Sequence, residues 1–269
     1  MAVRQLAWRG LYEVLAARVR HPEWAFMNYG YTPLDPWAEG PELEPGDEAD
    51  RLCIQLYEHV VRDVDLRGAD VLEVGCGRGG GASYLARYHA PRTTTGLDLS
   101  RAGIALCRRH RHAPGLSFVR GDALDLPFPD ASFDAVVNVE SSHCYPSVEA
   151  FLREFHRVLR PGGSLLFTDL RGREEMTELC RTLRGGRFDV VAMSDITANV
   201  CAALELDDDR RRALLDAWIP RPFHRPFERF AATEGSSTHA RFRAGENRYT
   251  SARLVKAGTA RARPTTALT

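Results

Sequence analysis

The feature that most constrains the fold of this chain is an alternation of apolar, strand-like runs with helical segments, which begins near residue 70. Strands are predicted at 70–75, 93–99, 116–123, 133–140 and 163–170, and helices at 80–90, 101–112, 148–159 and 173–184. Near-continuous apolar strands are typical of a parallel sheet that is buried on both faces. The alternation therefore predicts a doubly wound α/β fold.

The segments on either side of this alternation have different patterns. An amphipathic helix is predicted at 3–19, a proline- and glycine-rich loop at 33–50 and a further helix at 49–63. A sixth strand begins near 187, and the roughly fifty residues that follow are too many for a plain connection. We therefore expect an N-terminal helical segment (1–60), a core (61–196), a helical cap (197–246), a last core strand (247–257) and a polar tail (258–269).

Composition narrows the class of protein. Hydrophobic residues make up 44% and charged residues 27% of the 269 residues, and the formal net charge is +0. A neutral chain creates no global field that attracts nucleic acid or an anionic membrane. Arg4, Arg9 and Glu13 interrupt the apolar residues that a signal peptide needs, and no apolar run is long enough to span a bilayer. We expect a cytoplasmic protein, with reduced cysteines and no metal site.

The stretch "VLEVGCGRGG" (71–80) predicts a ligand site, and it allows two kinds of ligand. Its spacing satisfies G-x-G-x-x-G, and Asp98 follows at the distance from which an acid takes ribose hydroxyls in dinucleotide-binding folds. Glu73, two residues before Gly75, argues against a pyrophosphate because a carboxylate would repel it. That acid suits an ammonium or sulfonium instead, although it could also be a strand acid bonded to nearby backbone amides.

Polar residues after three further strands indicate where that ligand site continues. Asp122 ends the third strand, His143 lies just beyond the fourth and Asp169 ends the fifth. Ligands of open α/β sheets gather at the carboxyl ends of the strands. Asp122 could accept from the exocyclic amine of adenine, and His143 has a pKa suited to a general base. A turn residue, a structural histidine and a helix cap are the alternatives for these three positions.

In order and spacing, "VLEVGCGRGG", "GLDLS", "GDALDLPF", "FDAVVNVE" and "LRPGGSLLFTD" resemble the motifs of class I S-adenosylmethionine-dependent methyltransferases. The resemblance covers about 50–184 and implies a Rossmann-like, seven-stranded sheet whose last strand is antiparallel. It also implies that S-adenosyl-L-methionine is the cofactor. Carried over by position, the residues implied to contact its methionine, ribose and adenine parts are Glu73, Gly75, Gly77, Gly79, Asn138, Asp98, Leu99, Asp122 and Ala123.

A narrower resemblance covers most of the chain. "MNYGY" (27–31), "RLCIQLYEHV" (51–60), "SSHCYP" (141–146) and "SDIT" (194–197) are similar to the phthiotriolone/phenolphthiotriolone dimycocerosates O-methyltransferase group and to related polyketide and sugar tailoring enzymes. This implies a small-molecule methyl acceptor from secondary metabolism, such as antibiotic biosynthesis, and is compatible with a homodimer. Tyr29 or Tyr31 would close an aromatic face over the sulfonium, unless both simply pack in the core.

The resulting hypothesis is metal-independent O-methylation, with His143 as the base and Asp169 beside it, as in related tailoring enzymes. Three alternatives stay open: a cyclase that keeps the cofactor as a structural element, a cofactor-binding protein without turnover, and a dehydrogenase. His143 discriminates among them, because a cyclase needs no proton acceptor beside the sulfonium.

Overall fold

The computed structural model describes residues 21–219, 221 and 224–258. The predicted helix at 3–19 and nearly all of the predicted tail lie outside these residues. The strands are β1 (Asp70–Val74), β2 (Thr93–Asp98), β3 (Leu116–Arg120), β4 (Phe133–Val139), β5 (Leu159–Gly172), β6 (Asp189–Asp195) and β7 (Asn247–Val255). The helices are α1 (Arg51–Val61), α2 (Gly80–Tyr88), α3 (Arg101–His110), α4 (Val148–Val158), α5 (Arg173–Arg184), α6 (Thr197–Leu206), α7 (Asp208–Trp218), α8 (His224–Ala231) and α9 (Ser237–Arg243).

The seven strands form one sheet in the order β3-β2-β1-β4-β5-β7-β6. β1 pairs in parallel with both β2 and β4, whereas β7 is antiparallel to β5 and β6. The chain therefore builds outward from β1 to β3 and then crosses back to start β4 on the other side of β1. This reversal of strand order opens a crevice at the carboxyl ends of β1 and β4. The predicted Rossmann-like sheet with an antiparallel last strand is confirmed.

Alternating side chains of the sheet support helical layers on both of its faces. Val71 and Val137 pack in a core with Ile54 of α1, whereas their neighbours Leu72 and Val136 pack on the other face. The second core also contains Phe151 and Phe155 of α4 and Leu179 of α5. β1 is buried along its whole length, and Val71, Leu72 and Val74 supply the apolar side chains that a sheet covered on both faces requires.

Helix starts follow the capping pattern of the sequence. The Ser100 hydroxyl accepts from the Gly103 backbone N–H at 2.9 Å and caps the N-terminus of α3. Ser147 begins α4 in the same way, by accepting from Ala150 N at 3.2 Å. α2 begins directly after the glycine loop, at Gly80, so the loop delivers the chain from β1 straight into a helix N-terminus.

The region between β6 and β7 holds the four helices α6 to α9, where the sequence predicts a helical insertion. Val200 and Leu204 of α6 pack in the core that contains α1. β6 lies at the edge of the sheet, and its Val190 and Val191 are exposed. Within the described ranges, no helix is long and apolar enough to cross a membrane.

Candidate cofactor and catalytic site

A cavity of about 600 Å³ lies at the carboxyl ends of β1 to β4. Its walls come from the loops that follow these strands, and the segment 25–28 contributes a further wall. Six of the residues predicted from the sequence line it: Gly75, Gly77, Asp98, Leu99, Asp122 and Ala123. The structure thus brings together the strand-end residues that the sequence predicted to share one ligand.

Two glycines of the loop keep this cavity open. Gly75 and Gly77 have φ values of +78° and +53°, in the left-handed region that glycine adopts most easily. A Cβ at Gly75 would lie 2.4 Å from Ser141 Oγ, and one at Gly77 would lie 2.4 Å from Met27 Cε. Any larger residue would therefore push the cavity walls apart.

Gly79 has a different role from the one expected of it. It does not line the cavity, and a Cβ there would lie 2.9 Å from both Cys107 Sγ of α3 and Phe118 Cε1 of β3. Its φ of +77° makes the turn into α2. Gly79 is thus required for packing inside the protein rather than for approach to a ligand.

Asp98 joins the loop to the end of β2. Its Oδ2 accepts from Gly77 N at 2.9 Å and its Oδ1 accepts from Ser100 N at 2.8 Å. Asp98 lines the cavity, and an ionised carboxylate accepts hydrogen bonds from hydroxyl groups placed there. Asp122, at the next strand end, accepts from Leu124 N at 3.0 Å through Oδ1.

Glu73 lies behind the cavity wall and is 1% exposed. Its Oε1 accepts from the Tyr57 hydroxyl at 2.6 Å, whereas Oε2 has no hydrogen bond of normal geometry among the described residues. Burial raises the pKa of Glu73 to about 7, although the bond from Tyr57 partly opposes this. Since Tyr57 lines the cavity, a cation there would favour ionisation of Glu73 through this contact.

Asn138 organises the wall next to Glu73 and is fully buried. Its Nδ2 lies 2.8 Å from Val74 O, 2.8 Å from Ser141 Oγ and 3.1 Å from Tyr145 Oη. Ser141 and Tyr145 line the cavity, but Asn138 itself does not. Asn138 therefore reaches the cavity through these two hydroxyl groups.

His143 and Asp169, predicted separately from two strand ends, are in direct contact. His143 Nδ1 lies 2.8 Å from Asp169 Oδ1, and the His143 backbone N–H donates to Asp169 Oδ2 at 2.8 Å. The Ser142 hydroxyl and Arg171 also contact this carboxylate, which is fully buried. Neither His143 nor Asp169 lines the cavity, but Glu140, Ser141, Cys144 and Tyr145 around them do.

The surroundings of this pair set its charge. Burial of the His143 ring lowers its pKa, but Cys144 and Asp169 outweigh burial and raise that pKa well above the ordinary value. We attribute the rise to Asp169, whose ionised carboxylate is in contact with the ring. Burial raises the pKa of Asp169, but the charges of Arg171 and His143 lower it by more. The pKa therefore lies below its ordinary value, and the carboxyl stays ionised.

Glu140 is a residue of the site that the sequence reasoning missed. It follows β4 with a φ of +48°, which is unusual for a residue other than glycine. Its Oε2 accepts from Tyr29 N at 2.8 Å and from Tyr249 Oη at 2.7 Å. Burial raises the pKa of Glu140 to about 7, partly opposed by the bond from Tyr249. The signal that could have found it is an acid directly after the apolar run of β4.

Tyr29 lies elsewhere than expected. Its ring is absent from the cavity wall and packs against Phe242 at 5.7 Å, with the Arg211 guanidinium 5.8 Å from its centroid. Only its backbone N–H reaches the cavity, through Glu140. Tyr31 stacks on His59 at 4.3 Å. Both rings are held by core packing, because α1 and the inserted helices cover them. Core packing was the second of the two possibilities that the sequence left open for these tyrosines.

Phe26 and Met27 also line the cavity, and they come from a segment with no regular secondary structure.

Within the described part of the chain, no group of three or more His, Cys, Asp or Glu side chains is placed to hold a metal ion. Three features of the cavity fit a nucleoside that carries positive charge: glycines without Cβ atoms in the loop, an acid at the end of β2, and two buried carboxyl groups with raised pKa values.

Comparisons with known proteins agree with this geometry. A family model described as "Methyltransferase domain" matches residues 72–167. The chain is 45% identical to a fatty-acid O-methyltransferase of Mycolicibacterium smegmatis, over 81% of this chain and 79% of the relative. It is 41% identical to a phthiotriol/phenolphthiotriol dimycocerosates methyltransferase of Mycobacterium tuberculosis, over 90% of this chain and 89% of the relative.

Solved structures share the fold at lower identity. The [4+2]-cyclase SpnF superposes with a TM-score of 0.68 and 22% identity, over 93% of this chain and 94% of its own. Methyltransferases of this fold have been solved with S-adenosyl-L-methionine or S-adenosyl-L-homocysteine bound. The sequence relatives and the matched family model decide the matter: this chain belongs to the class I S-adenosyl-L-methionine-dependent methyltransferases, of the type that modifies lipids and natural products.

Proposed function

We propose that this enzyme O-methylates a hydroxyl or carboxyl group of a small natural product, such as a polyketide, a lipid or a sugar attached to one. The observation that carries the proposal is the His143–Asp169 pair, 2.8 Å apart beside the cavity. The names of the two relatives, one of which is an O-methyltransferase, support the acceptor class.

In this proposal, different residues of the cavity bind different parts of the cofactor. Asp98, with Leu99 beside it, takes the ribose hydroxyls, and Asp122 and Ala123 hold the adenine. The backbone of Gly75 and Gly77 lies against the cofactor. Glu73 and Glu140, both with pKa values raised to about 7, become ionised near the positive charges of the methionine part.

His143 acts as the general base. Because Nδ1 is bonded to Asp169, Nε2 is the ring nitrogen that accepts the proton of the acceptor hydroxyl. Asp169 holds the ring in that tautomer and stabilises the imidazolium that forms, as a buried carboxylate does in hydrolase triads. When bound, S-adenosyl-L-methionine would supply an activated methyl group: a bond from the acceptor oxygen to the methyl carbon would form while the bond between that carbon and sulfur breaks.

The experiment is incubation with methyl-labelled S-adenosyl-L-methionine and a panel of long-chain acids, alcohols and phenols. Mass spectrometry of the products detects the label, and mild base separates methyl esters from methyl ethers and C-methyl products. Label on oxygen supports the proposal. Cofactor that binds without losing its methyl group to any acceptor would favour the cyclase alternative, whereas saturable binding of NADH would favour a dehydrogenase.

His143→Ala tests the base directly when the acceptor is an alcohol or a phenol, which must lose a proton. We expect turnover to fall about a hundredfold or more, with cofactor affinity changed by less than about twofold, because the ring acts on the acceptor proton. Steady-state kinetics and titration calorimetry on the same protein measure both. His112→Ala, at an exposed position outside the cavity, is the control and leaves both unchanged. Near wild-type turnover in His143→Ala would show that another group takes the proton.

A further inference from the structure

A second cavity, of about 400 Å³, lies between the segment 23–29 and α7. Its volume falls in the range of small-molecule sites. Most of its wall is apolar or aromatic, and the side chains that matter most are Trp24, Phe26, Leu214, Leu215, Trp218 and Ile219. None of these except Phe26 lines the cofactor cavity, so the second cavity has a wall of its own.

The two cavities are neighbours. Phe26, Met27 and Asn28 line both of them, so this segment lies between the two spaces. The next residue, Tyr29, lines the second cavity and donates its backbone N–H to Glu140 at 2.8 Å, in the wall of the first. The segment between the two cavities therefore ends beside Glu140, which precedes His143 by three residues in the sequence.

Of the five charged side chains among the described residues that line the second cavity, four are paired with each other, and the fifth, Glu23, is exposed. Arg210 lies 2.7 Å from Asp207 and 3.1 Å from Asp50, and Arg211 lies 2.9 Å from Asp207. Two guanidinium groups thus face two carboxylates. A cluster that is neutralised in this way has little attraction for an ionic ligand, whereas the apolar wall favours hydrocarbon.

We infer that this second cavity binds the apolar chain of the methyl acceptor, so that the reacting oxygen lies in the first cavity, at the wall behind which His143 lies. The inference rests on the proposed function, because it assigns the acceptor an extended hydrocarbon part. α7 therefore selects acceptors by chain length, and the cofactor cavity performs the same chemistry on each.

Binding is tested first, without turnover. Straight-chain primary alcohols from hexanol to dodecanol are titrated into the protein, and the fluorescence of Trp24 and Trp218 in the cavity wall reports occupancy. We expect affinity to rise about fourfold for each added methylene until the cavity is full. Affinity that is the same for hexanol and dodecanol would overturn the inference.

Variants then locate the bound chain. Leu214→Glu places a charge in the wall, and Ala49→Phe narrows the cavity from its exposed opposite side, at a position where folding is not at risk. Both should weaken dodecanol binding at least about tenfold and leave cofactor affinity within about twofold. Leu206→Glu on α6, where leucine is 69% exposed, is the matched control and should change neither. Unchanged dodecanol binding in the two cavity variants would refute the assignment.

The acceptor panel separates this inference from the proposed function. If acceptors are methylated but KM is independent of chain length and unaffected by Leu214→Glu, the cavity assignment is overturned and the function stands. If the alcohols bind as expected while no acceptor gains a methyl group, the site for an apolar chain is supported and O-methylation is contradicted.

Discussion

Asp169 sets both the orientation and the charge of the His143 ring. The carboxylate is fully buried and 2.8 Å from Nδ1, and it favours the protonated ring. Since the pKa of His143 is raised well above its ordinary value, the protonated ring is favoured over a wider range of pH than for a free histidine. A base must be neutral to accept a proton, so the fraction of active enzyme increases as pH rises through that pKa.

Asp169→Asn should change this pH dependence. Removing the negative charge lowers the pKa of His143, so the rising limb of kcat against pH should move to lower pH. The plateau value of kcat should fall about a hundredfold or more, because an amide no longer stabilises the imidazolium. Profiles of kcat against pH for both proteins measure the two effects. A limb at the same pH in the variant would mean that His143 is not the group that titrates.

Among the elements, the loop between β1 and α2 shows how backbone conformation creates a binding surface. Gly75 and Gly77 combine positive φ with close neighbours in the cavity wall, whereas Gly79 combines positive φ with close neighbours inside the protein. Glycines spaced two residues apart thus have two different roles: Gly75 and Gly77 keep the cavity open, whereas Gly79 allows close packing inside the protein. The neighbours that an added Cβ would meet distinguish the two roles.

Gly77→Val should weaken cofactor binding at least about a hundredfold, or about 3 kcal/mol, since a branched side chain would occupy the space beside Met27. Gly162→Val is the matched control: its φ is +80°, but nothing lies within 4 Å of an added Cβ. The control should lose about 1–2 kcal/mol of stability from backbone strain and keep its affinity. Calorimetry and urea unfolding of both variants test this. Normal affinity in Gly77→Val would exclude the loop as the floor of the site.

For the whole molecule, the important connection runs from the inserted helices to the cofactor cavity. Arg211 of α7 is buried, pairs with Asp207 at 2.9 Å and donates to Tyr29 O at 2.9 Å and Ala231 O at 2.7 Å. It thereby holds the segment that separates the two cavities. A side chain that does not line the cofactor cavity should still influence cofactor binding through this segment.

Arg211→Met should lower the free energy of unfolding by about 3–5 kcal/mol, the usual cost of removing one partner of a buried ion pair. It should also weaken cofactor binding, because the segment 25–28 loses its support. Arg212→Met removes a more exposed pair of the same helical spacing, with Asp208, and should cost at most about 1 kcal/mol. Urea unfolding and cofactor titration provide the comparison. Equal effects of the two substitutions would contradict this role of Arg211.

Local patterns were sufficient to predict the architecture. The apolar residues of β1, the Ser100 cap and the glycine spacing each involve residues close in sequence, so periodicity and backbone preference predicted the sheet correctly and singled out the glycine loop and Asp98, which lie in the cavity wall. Strand ends placed His143 and Asp169 at one edge of the sheet, because parallel strands that leave the same sheet end together.

Only the tertiary structure decided the rest, since it depends on residues that are distant in sequence. The direction of the Tyr29 ring follows from Phe242 and Arg211, and the packing role of Gly79 follows from Cys107 and Phe118. Glu140 becomes a part of the site because Tyr249 and Tyr29 converge on it. No periodicity encodes such meetings, and the second cavity exists only where α7 packs beside the segment 23–29. The sequence by itself determined the sheet and the cofactor loop, whereas long-range packing determined which side chains enclose the space above them.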